Sequence, residues 1–370
     1  MTTHAYDDNV VIPLLKQTLL WESPTCHAAS PRPGAFLTAE TVDLAYYDVI
    51  VLLISGGKDS IACLLHLFDL GVDRSKIELW HHRVDGHPDE GSTLMDWPCV
   101  DAYNQALADT YGLPIYYSWL EGGFEGEMLK ENAISRPHKV ETPSGLITLE
   151  RDPNRSKIAT RRKFPQVSPS LTTRWCSSAL KIDPGRRALN NQERFNGKKV
   201  LFITGERRQE SASRSKYFQL EPHACDRRKG RTARLVDAWR PVLEWDEERV
   251  WDALRRHRVI APVPYRLGWG RSSCQTCIYN GPRIWATLRT YFPEKLEPIA
   301  RYEREFGVTI SRSRRDVITI AQEARPFEIN DLEALEQAMR TAYTLPILAE
   351  TDAEWKLPAG AFAREGCGSD

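Results

Sequence analysis

Asp48-Val-Ile-Val-Leu-Leu-Ile54, followed directly by Ser55-Gly-Gly-Lys-Asp-Ser60, decides the fold of this chain. The first part is a short, continuous apolar run rich in β-branched residues. Such a run reads as a strand buried on both faces. Ile61 to Leu70 then has a helical pattern and is closed by Gly71. Strand, glycine-rich loop and helix in that order make an anion site. The glycines let the backbone approach a ligand, and the helix start offers unpaired N–H groups with partial positive charge. Ser55 and Ser60 add hydroxyl donors and Lys58 a cation; Asp59 is expected to help hold Mg2+ or to cap the helix. The loop is not a Walker P-loop, which would need Gly at Leu52 and Ser or Thr at Asp59, and no G-x-G-x-x-G follows a strand.

Outward from this unit the pattern repeats. Lys76–Val84, Pro114–Leu120 and Lys198–Thr204 read as further strands, and Pro98–Tyr111 as a helix stopped by Gly112. Alternating strands and helices predict an α/β fold, a doubly wound and mostly parallel sheet covered on both sides. Residues 46–245 are expected to form this nucleotide-binding part, with a polar, basic, Pro-dotted insertion at 121–197 that carries no recognisable element. Residues 1–45 read as a peripheral segment with a short apolar stretch, Val10 to Leu20. Residues 246–370 read as a helical C-terminal region. It begins with a helix from Asp246 to His257, with Asp246 as N-cap, Glu247 and Glu248 in the first turn and Arg255 and Arg256 in the last.

The 370 residues carry 50 basic and 50 acidic side chains, with 41% hydrophobic and 27% charged residues. That composition is globular and excludes a disordered, collagen-like or disulfide-scaffold chain. No apolar run approaches the roughly 18 residues of a membrane span, and Met1–Lys16 lacks the pattern of a secretory signal, so a cytoplasmic protein is expected. Zero net charge hides an asymmetry: Arg151–Arg234 holds 22 basic and 7 acidic residues, a net +15, against −15 in the remainder. The excess suggests an anionic ligand, a nucleotide or a polynucleotide, for the middle of the chain; the bland alternative is a solvated surface balanced in three dimensions. Of eight cysteines only Cys274 and Cys277 are closely spaced, a candidate metal, cluster or redox pair, while Cys63 sits in an apolar helix as a core thiol. His81, His82 and His223 read as packing or hydrogen-bonding residues rather than metal ligands.

The Ser-Gly-Gly-x-Asp-Ser loop resembles the PP-loop of the ATP-pyrophosphatase and PAPS-reductase superfamily, whose fold is adenine nucleotide alpha hydrolase-like. Thr173-Arg-Trp-Cys-Ser-Ser-Ala-Leu-Lys-Ile-Asp-Pro184 is similar to its R-W-C-x-x-x-L-K-x-x-P segment, and Gly205-Glu-Arg-Arg-Gln-Glu-Ser-Ala-Ser-Arg214 to its G-x-R-x-x-E-S-x-x-R segment. Trp239-Arg-Pro-Val-Leu-Glu-Trp245, Tyr265 and Cys274-Gln-Thr-Cys277 follow in family order. The resemblance implies that Ser55, Gly56, Gly57, Lys58, Asp59 and Ser60 hold phosphates. It puts Asp85 and Gly86 at ribose or adenine, and Lys181, Arg207, Glu210 and Arg214 at polar family positions. Lys58, Asp59, Arg207 and Arg214 are the expected catalytic set. Cys176, Cys274 and Cys277 match the family's [4Fe–4S] ligands, with Ser177 where the assimilatory reductases have a second cysteine; Cys225 is a candidate fourth ligand and zinc an alternative. Trp175 and Trp269 flank this site. Two branches stay open. One is an ATP pyrophosphatase that uses ATP and Mg2+ in sulfur transfer, nearest to the DNA-phosphorothioation enzymes, with a donor such as a cysteine desulfurase and DNA with partner proteins. The other is an adenylyl-sulfate reductase, whose tail cysteine motif Cys367-Gly368 only partly matches.

Overall fold

The computed structural model describes residues 35–90 and 93–363. The peripheral stretch 10–20, Cys26 and the Cys367 tail lie outside the described residues. The expected strands form as β1 (Val49–Leu53), β2 (Ile77–Arg83), β3 (Ile115–Leu120) and β6 (Lys199–Ile203). Four more join them: β4 (His138–Thr142), β5 (Gly145–Leu149), β7 (Leu220–Pro222) and β8 (Leu235–Trp239). The sheet order is β5-β4-β3-β2-β1-β6-β8-β7. The five central strands β3, β2, β1, β6 and β8 are mutually parallel, while the marginal pairs β3–β4, β4–β5 and β7–β8 are antiparallel.

Burial explains why β1 is apolar throughout. Ile50 and Leu52 point into one core with helices α1 (Lys58–Asp69) and α2 (Val100–Tyr111). Val51 points into the opposite core with Trp80, Val200, Phe202 and Val236. That second face is covered by Ala188 and Leu189 of helix α4 (Asp183–Asn190); α3 (Gly123–Met128) precedes it in the chain. Both sheet faces are therefore covered, as alternate side chains of a buried parallel strand require. The chain leaves β1 for β2 and β3 on one side and returns to β6 on the other. The carboxyl end of β1 thus lies at the point where strand order reverses, where open α/β sheets bind ligands.

The insertion 121–197 departs from expectation. It contains α3, the β4–β5 hairpin and α4 rather than a structureless loop. Strand β8 escaped the apolar pattern because Asp237 interrupts it. That carboxylate is 1% exposed and accepts a hydrogen bond from the Tyr47 hydroxyl at 2.9 Å.

The C-terminal part is helical through α5 (Glu247–Arg256), α6 (Val263–Arg266), α7 (Pro282–Tyr291), α8 (Pro293–Phe306), α9 (Val317–Gln322) and α10 (Leu332–Gln337). Asp246 caps α5 by accepting from Arg249 N at 2.7 Å. Helix α5 buries Val250, Trp251 and Leu254 in the same core as α1. Helices α7 to α9 enclose a third apolar cluster with Trp97, Trp175 and Trp269. No helix of the described residues is long and apolar enough to cross a membrane.

Candidate functional site

The Ser55–Ser60 loop turns at the end of β1. Gly56 has φ +70°, and a Cβ there would stand 2.9 Å from Val100 Cγ2, so both conformation and space require glycine. Gly57 is extended and precedes the first turn of α1. Ser60 Oγ donates to Gly57 O at 2.9 Å and accepts from Ser55 N at 3.3 Å, which ties the loop to itself. One helix-start donor is already engaged: Lys58 N donates to the Tyr265 hydroxyl oxygen at 3.1 Å.

The charges are paired from two directions. Lys58 is 3% exposed, and its Nζ lies 3.2 Å from Asp59 Oδ2 and 3.5 Å from Glu247 Oε1. Arg207, 4% exposed, places Nε 2.5 Å from Asp59 Oδ1. Asp59 therefore serves two cations and does not cap the helix. Burial works against its charge, but Lys58 and Arg207 outweigh that and hold the carboxyl below its usual range. Burial likewise opposes the Lys58 ammonium, and Tyr265, Asp59 and Glu247 overcome it, so its pKa is raised. Glu210 Oε2 accepts from Arg207 N at 2.8 Å and pairs with Arg214 at 2.6 Å, linking three of the polar family positions beside the loop. Gly205 makes the junction possible: a Cβ there would meet Asp59 C and Ser60 N at 2.9 Å.

Glu247 was legible only as a first-turn acid of α5. Its second role, beside Lys58, exists because α1 and α5 pack together. Tyr265 stood in family order without a role; it clamps the loop. A shallow cleft adjoins Gly56 and is lined by Trp97, Val100, Val263 and Ser272 among others.

At the end of β2 the arrangement differs. Asp85 is buried, and its Oδ2 accepts from Met95 N and Asp96 N, both at 2.8 Å. Burial raises its pKa to about 7. Gly86 has φ +85° and packs against Gly123, which itself has no room for a Cβ beside the Asp85 carbonyl. His81 Nδ1 stands 2.7 Å from Ile54 O and His82 Nδ1 2.7 Å from Ser118 Oγ, the hydrogen-bonding role expected of them.

Cys176, Cys274 and Cys277 come into one neighbourhood beside Lys181. Lys181 sits on a π-helical turn, Ser178–Ile182, of the kind often found at functional sites. Its pKa is raised chiefly by Cys274, against burial, with Asp96, Cys176 and Cys277 contributing. Burial holds the Cys176 and Cys274 thiols above their usual value. Among the described residues, however, no three His, Cys, Asp or Glu side chains are arranged to hold a metal ion. As placed, the three cysteines do not form a ligand set around one ion or cluster. Cys225 is elsewhere: it packs in the core with Phe202 and Val236 and accepts from Asn190 Nδ2 at 3.5 Å. Its apolar neighbours on β6 and β8 draw it away, which removes it as a fourth ligand. Trp175 and Trp269 are buried, against Phe124 and Trp97 respectively.

Residues 151–278 match the family model of the phosphoadenosine phosphosulfate reductase domain. An uncharacterized 37.8 kDa protein of Escherichia phage 186 is 30% identical over 138 residues, 37% of this chain and 39% of that protein's length. Among solved structures, Candida glabrata FMN adenylyltransferase with FAD and inorganic pyrophosphate is similar at 12% identity and TM-score 0.34, covering 86% of this chain and 83% of that one. The same enzyme with ATP is similar at 13% identity and TM-score 0.34, covering 78% and 70%.

Proposed function

We propose, from the premise that residues 151–278 belong to the phosphoadenosine phosphosulfate reductase domain family, that this chain is a PP-loop enzyme acting on an adenine nucleotide. The observation that carries the reading is the junction of Gly205 and Arg207, inside the matched segment, with Asp59 and Ser60, outside it. Two parts of the sequence 148 positions apart complete one anion site.

In this reading ATP lies across the end of β1, with its phosphates at the loop N–H groups, Ser55, Ser60, Lys58, Arg207 and Arg214. Phosphate oxygens join Asp59 and Glu247 around the cations, and Mg2+ on the triphosphate would offset the negative charge they bring. Both Asp59 oxygens are engaged, so Mg2+ is taken to arrive on the triphosphate. An acceptor oxygen attacks the α-phosphorus. The bond from that phosphorus to the bridging oxygen breaks, pyrophosphate leaves with the electron pair, and AMP stays on the acceptor. A sulfur nucleophile then displaces AMP. Cys176, Cys274 and Cys277 support the sulfur part as free thiols, and a reducing compartment such as the cytoplasm suits them. A DNA backbone phosphate as acceptor and a cysteine desulfurase as donor are the finer form of the proposal.

Pyrophosphate release from ATP in the presence of acceptor tests the reading, with loss in Asp59→Ala expected. The family's own name favours the second reading, reduction of an adenylyl sulfate. Sulfite formed from adenylyl sulfate and a dithiol, with no pyrophosphate from ATP, would establish it instead. Iron and zinc counts on anaerobically purified protein are expected to be substoichiometric; a full complement would show that the thiols rearrange around a metal.

A further inference from the structure

The two ends of the site are joined by a short bridge that neither reading requires. Asp85, at the end of β2, receives Met95 N and Asp96 N on one oxygen, each at 2.8 Å. The same stretch receives the cysteine turn on its other edge. Thr276 Oγ1 donates to Leu94 O at 2.8 Å and Thr276 N to Met95 O at 3.1 Å. Trp97 Nε1 donates to Ser273 O at 2.9 Å. Lys295 of α8, 3% exposed, fixes the bridge from behind by donating to Thr93 O and, at 2.8 Å, to Asp96 O. Thr276 itself is fully buried, between the two cysteines of the turn.

We infer that Asp85 is a positioning residue that holds the Cys274–Cys277 turn in place through residues 93–97. The inference rests on the reading that these cysteines belong to the working site, and it assigns Asp85 a role other than ribose contact. The physical argument is continuity. Each link is a hydrogen bond to backbone, so displacing the Asp85 oxygen frees two N–H groups at once and lets Leu94 and Met95 move. The carbonyls that grip Thr276 move with them. A carboxylate is not needed for this, because a single amide oxygen at position 85 accepts the same two N–H groups. The link therefore predicts rescue by asparagine and none by alanine.

The test is thiol reactivity, read by mass spectrometry after timed alkylation of the full-length protein with iodoacetamide at fixed pH. Asp85→Ala is expected to speed alkylation of Cys274 and Cys277 about tenfold through local opening of the turn. Asp85→Asn should remain near the unmodified rate. Thr276→Val, at the other end of the bridge, should reproduce the alanine effect, and the double variant should add little to either single one, as members of one chain of contacts do. Cys63, fully buried in the core that α1 packs into, serves as the control. If Cys63 accelerates in parallel, the effect is global loosening and the inference is overturned. Equal alkylation in all variants overturns it too, as does a loss of α,β-methylene-ATP affinity in Asp85→Asn and Asp85→Ala alike with thiol rates unchanged, since Asp85 would then be a nucleotide contact. Absence of pyrophosphate release by the unmodified enzyme would defeat the proposed reaction while leaving these rate comparisons readable.

Discussion

The glycine-rich loop and the cysteine turn sit close together at the strand ends, yet they are held in opposite ways. Around the loop, charge answers charge: Lys58, Asp59, Arg207, Glu247, Glu210 and Arg214 form one connected network. Around the cysteine turn, buried polar atoms are left over. Asp85 Oδ1, Arg174 Nε, Trp175 Nε1, Trp269 Nε1, Gln275 Oε1 and Asn280 Oδ1 have no hydrogen-bond partner among the described residues. The contrast teaches where each end keeps its free energy. The loop is held by ion pairs. The thiol end depends on packing and on backbone hydrogen bonds.

The largest expected effect breaks the loop side of this comparison. Asp59→Ala leaves Lys58 and Arg207 buried without their shared partner. A broken buried pair costs about 3–5 kcal/mol, which urea unfolding would measure, and pyrophosphate release should become undetectable. Retention of full stability would mean that the network is solvated and the contrast is wrong. Gly205→Ala comes next. Its Cβ must push β6 from Asp59 and Ser60, an overpacking cost of about 1–3 kcal/mol. Nucleotide affinity, followed by isothermal titration, should fall by more than stability alone explains.

A pH effect sharpens the less-paired side. Burial lowers both His82 and His138 to about 3. Their folded pKa lies below the unfolded value of about 6.5, so the folded state favours the neutral rings. Their stabilisation is complete above pH 6.5 and is lost as the pH falls toward 3. Unfolding midpoints measured between pH 7 and 4 should drop, and His138→Leu should flatten the slope. A slope unchanged in that variant would assign the acid sensitivity to other groups. The smallest effect lies outside both ends: Asp246→Ala removes the cap of α5 at about 1 kcal/mol, with a small loss of nucleotide affinity because Glu247 follows in the same turn.

Much of the fold was legible because buried parallel strands must be apolar on both faces. Val49–Leu53 and Lys199–Ile203 carry that signature almost without interruption, Ile115–Leu120 is broken by Ser118, and Ile77–Arg83 is broken by Glu78, His81, His82 and Arg83. Strand β8 does not, since Asp237 is satisfied by Tyr47, a partner 190 positions away. The β4–β5 hairpin lies at the sheet margin, where one edge is open and polar residues are tolerated, so its pattern looked like loop. The candidate site divides in the same way. Loop residues are adjacent in sequence and declare themselves by spacing and by resemblance. Glu247 and the bridge at 93–97 do not, because each acts on a residue far away in the chain, and Tyr265, though in family order, gains its role only where it meets Lys58 N.

The sequence by itself determined a glycine-rich loop between a buried strand and a helix, and a segment with a net +15 charge. Those follow from local backbone chemistry and from charge, which need no partner to be read. Tertiary structure alone decided that Arg207 shares Asp59 with Lys58, that Cys225 stands apart from the other thiols, and that Asp85 turns inward to Met95 and Asp96. The physical reason is that burial and pairing are properties of the packed chain: which carboxylate meets which cation is set when α1, α5 and β6 close on one another.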